Sequence, residues 1–179
     1  NGYSASGALI KATLINGARD MAGQYGAGNG AGRTAPNNHE GWGIINLSGS
    51  LFPEGLATHL FFADNAVLST AGQRINFSVR LSETGGKLVR ATLVWTDYPA
   101  AAGSAGGAGA RQNNLDLRVQ TTKGEVYFGN AFDATGRSIK NPAIGLTDQV
   151  NNVEKVVFPV DEDGFYNFSV RATTLPSVA

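Results

Sequence analysis

The hydrophobic period of this chain changes once, and the change limits what it can fold into. From residue 56 onward apolar residues recur at every second position. In RINFSVRL, Ile75, Phe77, Val79 and Leu81 alternate with Asn76, Ser78 and Arg80, the pattern of a strand with one buried face. The alternation returns at Val89, Ala91, Leu93 and Trp95, at Leu115, Leu117 and Val119, and at Tyr166, Phe168 and Val170. Shorter apolar runs in THLFFAD, EVYFG and VEKVVFP bring the expectation to seven or eight strands, separated by Gly, Asn, Asp and Pro. Such a series predicts an antiparallel sandwich or jelly-roll barrel.

The opening segment follows a different rule. Between Ser6 and Met21, Leu9, Ile10, Leu14 and Ile15 recur at helical spacing, with Ser4 or Ser6 placed to cap. The glycine-rich stretch GQYGAGNGAGRTAPNN then reads as a surface loop. Glu54 and Gly55 mark the expected end of this module, giving a division into residues 1–53 and 54–179. Two long connections, Pro99 to Gln112 and Asn130 to Asn152, interrupt the strands, and loops of that length in a compact domain are functional or mobile.

Composition removes several function classes. Lys plus Arg and Asp plus Glu are equal at 14 each, so no net field draws in nucleic acid or an anionic membrane. Without cysteine there is neither a disulfide framework nor thiolate chemistry, and zinc would have only two widely spaced histidines and carboxylates. No apolar run approaches the roughly 20 residues of a membrane helix, and the first residues do not form a signal peptide. The loop GSAGGAGAR lacks the GK[ST] that would make it a phosphate cradle.

Two constellations bear on chemistry. A serine protease triad needs serine, histidine and carboxylate together, and here only His39, in the turn PNNHEGWG, and His59, ahead of Leu60, are available. Both read as structural or exposed, so the segment alone is expected to be inactive. The second constellation is LVWTDYP with NNLDL. Asn114 and Asp116 leave the same strand face roughly 7 Å apart. Asp97 lies where a strand gives way to a loop, and Asp133 and Asp148 lie in the second long loop. Carboxylate, amide and carbonyl oxygens in such a cluster are what calcium takes, although polar residues at strand ends equally serve as turn formers and caps.

Trp95 has the parity of core residues, and Trp42 lies between glycines in a turn that looks like packing, so core outweighs a sugar-binding role for both. Arg90, Arg118 and Arg171 take the polar parity of their strands, as a solvated face or as a charged ladder against a neighbouring domain.

The wording of two regions resembles a known family. SASGALIKATLINGARDM followed by GWGIINL looks like the closing helix and turn of a subtilisin-like serine protease catalytic domain, downstream of its nucleophile. The ordered series VWTDYP, NNLDLRV, VYFGNAF, NNVEKVVF and GFYNFSVRA is similar to the β-barrel domain that follows the catalytic domain in the oxidatively stable alkaline branch of that family. The resemblance implies a chain that starts inside a fold, after a triad located upstream. It implies calcium held by Asp97, Asn114 and Asp116, with Asp133 and Asn152 as further candidates. It also implies secretion to the extracellular space, a peptide or protein substrate for the whole enzyme, and the upstream catalytic domain as this segment's partner. The expected task of the segment is to stiffen that catalytic core. A carbohydrate- or protein-binding sandwich with no protease attached is the alternative, and a kexin-type processing enzyme fits the opening less well.

Overall fold

The computed structural model describes residues 2, 4–21, 36–37, 39–52, 58–82, 86–104, 110–143 and 147–176. Most of the glycine-rich stretch, the Glu54–Gly55 boundary and the centre of GSAGGAGAR lie outside them. The elements are α1 (Gly7–Gly17), α2 (Leu47–Leu51), β1 (Arg74–Leu81), β2 (Leu88–Val94), β3 (Asn114–Gln120), β4 (Val126–Phe128), β5 (Val153–Pro159) and β6 (Gly164–Thr174). Among the described residues no helix is long and apolar enough to cross a membrane.

All strand pairings are antiparallel, in a four-stranded sheet ordered β1-β6-β3-β4 and a separate β2-β5 pair. Among the described residues the two sheets share no strand pairing, so the expected jelly-roll barrel is not closed and the fold is sandwich-like. There are six strands among the described residues, where seven or eight were expected. THLFFAD forms none, and its Leu60, Phe61 and Phe62 are exposed.

The inner faces make the core that the alternation predicts. Leu117, Val119, Tyr127, Val156, Phe158, Tyr166 and Phe168 are buried together, with Val79, Ala91, Leu93 and Val170 packed on them. Tyr127 stacks on Phe158 at 4.5 Å between ring centres, and Phe158 on Tyr166 at 5.7 Å, a spacing favourable beyond area burial alone. Phe77 stacks on Phe168 at one edge of this core.

α1 forms a third layer. Ser6 caps it, its Oγ accepting from Leu9 N at 3.0 Å, while Ser6 N and Oγ both donate to the Asp64 carboxylate at 2.9 and 2.6 Å. The helix stops at Gly17, short of the predicted Met21, where the chain turns to bridge Arg19 to Ile44. Gly17 is required there, because a Cβ would meet Ser50 Oγ in α2 at 2.3 Å. The helix lies on the outer side of the β2-β5 pair. Thr92 Oγ1 donates to Asn16 Oδ1 at 2.9 Å, and Lys155 Nζ donates to the Ile15 carbonyl at 2.8 Å. β5 is therefore covered on both faces, which explains why its first six residues are all buried.

Candidate functional site

The entry to β3 is built by Asp97. Its Oδ2 accepts from Gln112 N and its Oδ1 from Asn113 N and Asn113 Nδ2, each at 2.8 Å, and Oδ1 also takes Tyr98 N at 2.9 Å. Trp95, buried as its parity requires, donates from Nε1 to the Asn113 carbonyl at 3.2 Å. One carboxylate and one indole thus hold both ends of the loop from residue 97 to 113. The polar pair of NNLDL begins where that clamp ends.

Asn114 and Asp116 share a face of β3, as the two-residue spacing predicts, and their pairing with β6 shifts register just after Asn114. Asn114 is 1% exposed. Its Nδ2 donates to Gln149 Oε1 at 3.3 Å, whereas its Oδ1 is buried with no hydrogen-bond partner. Asp116 repeats the arrangement: Oδ2 accepts from Thr173 Oγ1, and Oδ1 is buried without a partner. Buried acceptors left unpaired cost on the order of 1–3 kcal/mol each, more for a charged one. Two of them, two residues apart on one strand, suit a hard cation.

Glu154 is the member that sequence reading missed. It follows Val153 at the start of β5, is 1% exposed, and accepts from Leu117 N at 2.5 Å. Burial is the main cause that pushes its carboxyl up to about 8; the Leu117 N–H bond opposes it most, the Asp116 and Asp148 carboxylates add, and Arg111 opposes weakly. Gly129 makes room for it, since a Cβ there would meet Glu154 Oε2 at 2.3 Å. A carboxylate inside an apolar run was the one available sign of Glu154, and it reads equally well as the polar face of a strand.

Asp148 closes the group from the second long loop. Burial works to raise its carboxyl, but bonds from Asn151, Val150 N and Asn130 outweigh this and hold it below the usual carboxylate value. Asn130, with its backbone in the left-handed region at φ 61°, gives its Nδ2 to Asp148 and to the Val153 carbonyl and accepts from Lys155 N. Asn152 Nδ2 donates to the Trp95 carbonyl at 3.0 Å and Oδ1 accepts from Lys11. Asp133 is engaged in a turn of its own, its Oδ1 accepting from Thr135 N, Thr135 Oγ1 and Arg137 N. Those bonds, led by the Thr135 hydroxyl, lower its carboxyl.

Asp116 and Glu154 are thus close enough for their charges to act on one another, Asp97 orders the chain leading into Asn114, and Asp133 serves elsewhere. Among the described residues no three His, Cys, Asp or Glu side chains form a metal-holding group. A cation at Asn114 and Asp116 would draw on amide and main-chain oxygen as well, the mixture that suits calcium better than zinc.

The two histidines lie apart from this cluster in sequence. His59 is exposed in the irregular segment after residue 57, and His39 is exposed in a turn where Asn37 Oδ1 accepts the N–H of both His39 and Glu40. Trp42 is half-buried, edge-on to Phe132 at 6.5 Å and 5.9 Å beneath Lys155 Nζ, so it packs as its turn suggests.

No family model matches the chain. A serine protease/ABC transporter B family protein of Dictyostelium discoideum, tagD, is 26% identical over 215 residues, an alignment that takes in 98% of this chain. The chain spans 12% of the length of that relative. The likeness is to a protein named as a serine protease and is no finer than that.

Proposed function

We propose that this chain is a non-catalytic part of a secreted subtilisin-like serine endopeptidase, comprising the closing helix of the catalytic domain and the β-sandwich that follows it. The observation that carries this reading is the reach of the similarity to a protein named a serine protease, which includes the helix and the sandwich together. The sequence resemblance of ALIKATLINGA and GWGIINL points the same way. In this reading the whole enzyme cleaves peptide bonds by acyl transfer through a triad on an upstream segment. Ile10, Ile45, Leu47 and Leu51 remain exposed around the helical layer, and a groove of about 440 Å³ runs between Ile10, Leu14, Trp42 and Ile45. The catalytic core is the partner that would cover it.

Calcium is the proposed cofactor, and the unpaired oxygens of Asn114 and Asp116 support it. Those two side chains would hold the ion, whose part is to neutralise buried negative charge and tie β3 to the adjoining loops. Bound only by the folded state, it would add stability as RT ln(1 + [Ca²⁺]/Kd).

Thermal unfolding of the chain in calcium and in chelator tests the ion. The melting temperature should rise with calcium, and Asp116→Ala should remove the rise. An unchanged response in that variant takes Asn114 and Asp116 out of the role. Asp97→Ala should weaken the fold in either buffer, because its four hydrogen bonds order the loop whether or not an ion is bound. The protease reading is tested separately by the reading frame upstream, where the absence of DTG, HGTH and GTSMA-type segments would refute it.

A further inference from the structure

The outer face of the β1-β6-β3-β4 sheet carries a charge arrangement that the chain as a whole does not. Register places Arg74 of β1 opposite Arg171 of β6, and Arg171 opposite Asp116 of β3. The next row is Asn76, Ser169, Arg118 and Phe128, and the next is Ser78, Asn167, Gln120 and Val126. Arg80 and Phe165 close the series. The chain has equal numbers of acidic and basic residues, yet this face gathers four arginines against one carboxylate. Asp116, opposite Arg171 and bonded to the neutral Thr173 hydroxyl, offsets at most one of the four charges. The ion pairs that Lys123 and Lys140 make with Glu125, Asp161 and Glu162 involve none of these four arginines.

Like charges directly opposite each other on an antiparallel pair are destabilising. Arg74 and Arg171 stand in that relation, both exposed. A conflict of this kind, kept on a well-ordered sheet, points to a ligand that relieves it. Two guanidinium forks side by side match carboxylate or sulfate groups bidentately. Arg74 and Arg80 lie six residues apart on β1, which spaces them by about 20 Å, so the matching ligand is extended and repeats its charge. Between them the side chains are amides and hydroxyls, Asn76, Ser78, Asn167 and Gln120, which both donate and accept as sugar hydroxyls do. Phe165, 59% exposed beside Arg80, adds one flat apolar surface. Three strands contribute its arginines, which favours a ligand lying across the sheet over a peptide added at the edge of β1. A single-stranded nucleic acid would call for more aromatic platforms than this face offers.

We propose that this face docks an anionic polysaccharide bearing carboxylate or sulfate groups, held by Arg74, Arg80, Arg118 and Arg171. The proposal is independent of the protease reading, and Asp116 is the one residue it shares with the calcium site.

Binding of the purified chain to immobilised heparin and to polygalacturonate, against neutral dextran, poly-glutamate and single-stranded DNA, tests it. Retention on both anionic polysaccharides, absent on dextran and reversed by salt, is expected. Arg74→Gln with Arg171→Gln should weaken it roughly tenfold, with the thermal midpoint unchanged or slightly raised because a like-charge pair has gone. Lys11→Gln with Lys87→Gln removes the same charge from other exposed positions and should leave binding intact. Equal losses in both double variants would reduce the effect to net charge and overturn the proposal. So would tighter binding of poly-glutamate or DNA than of either polysaccharide, or no retention on either.

Discussion

Lys155 Nζ donates to the carbonyl of Ile15 at 2.8 Å, so a buried ammonium from β5 closes the last turn of α1. A cation at a helix C-terminus is favourably placed against the helix dipole, and the Trp42 ring 5.9 Å away adds to that. Burial nevertheless dominates and, with Arg90 adding, lowers the Lys155 amine to about 8 against an opposing pull from Asp20. Between about pH 8 and 10.5 the unfolded chain keeps this proton while the folded chain has released it, so stability rises with pH across that window. Chemical denaturation at stepped pH should show the rise, at up to about 1.4 kcal/mol per pH unit. Lys155→Met should flatten it.

Glu154 acts in the opposite sense. Its carboxyl is raised from 4.5 to about 8, so from pH 4.5 to 8 the folded chain holds a proton that the unfolded chain has lost. Stability in chelator therefore falls as pH rises through that window. Glu154→Gln keeps an acceptor for Leu117 N and should abolish the fall. The two neighbours together predict a stability minimum near pH 8, filled in from one side by each variant.

Gly129 is fixed by Glu154 and not by its own backbone. Gly129→Ala should cost roughly 1–3 kcal/mol through overpacking, measured by urea unfolding. In the Glu154→Ala background the same substitution should cost much less. An additive double variant would show that the 2.3 Å approach is not what constrains the position.

Thr121 gives a prediction of the opposite sign. Its hydroxyl oxygen is buried with no partner, while its N–H donates to Glu125 O and its C=O accepts from Gly124 N. Thr121→Val removes only the unsatisfied group and should raise stability by about 1 kcal/mol in the same assay.

Ser6→Ala removes the cap on α1 and the hydroxyl bond to Asp64. A loss of about 1–2 kcal/mol is expected, with faster amide exchange concentrated in the first turn of α1.

Strands with one wet face were legible in the sequence because their side chains sort by parity. β1, β3 and β6 fall where alternation puts them, and Trp95 is buried as its parity required. THLFFAD misled because three successive apolar residues signal burial, and in this chain they are exposed. In β5 the run VEKVVFP hides its polarity for the opposite reason. Both of its faces are covered, so Glu154 and Lys155 are buried beside valines with nothing in the local pattern to announce it.

The candidate site was half legible for a related reason. The Asn114 and Asp116 pair follows from a two-residue spacing. Asp97 and Asp133 carry the same residue type in similar surroundings, yet their hydrogen bonds hold a loop and a turn. Glu154 reaches β3 through a hydrogen bond from Leu117 N, 37 positions away in sequence, which local spacing does not encode.

The consecutive placement of Glu154 and Lys155 also acts as a register lock on the β2-β5 pair. Leu93 faces Glu154 and Thr92 faces Lys155, and sliding β5 by one residue would exchange the two sides of the strand. The ammonium would then be driven between the sheets and a carboxyl group would meet the carbonyl of Ile15. A misaligned β2-β5 pair is thereby penalised twice, by two neighbouring side chains that are each acceptable in one compartment only.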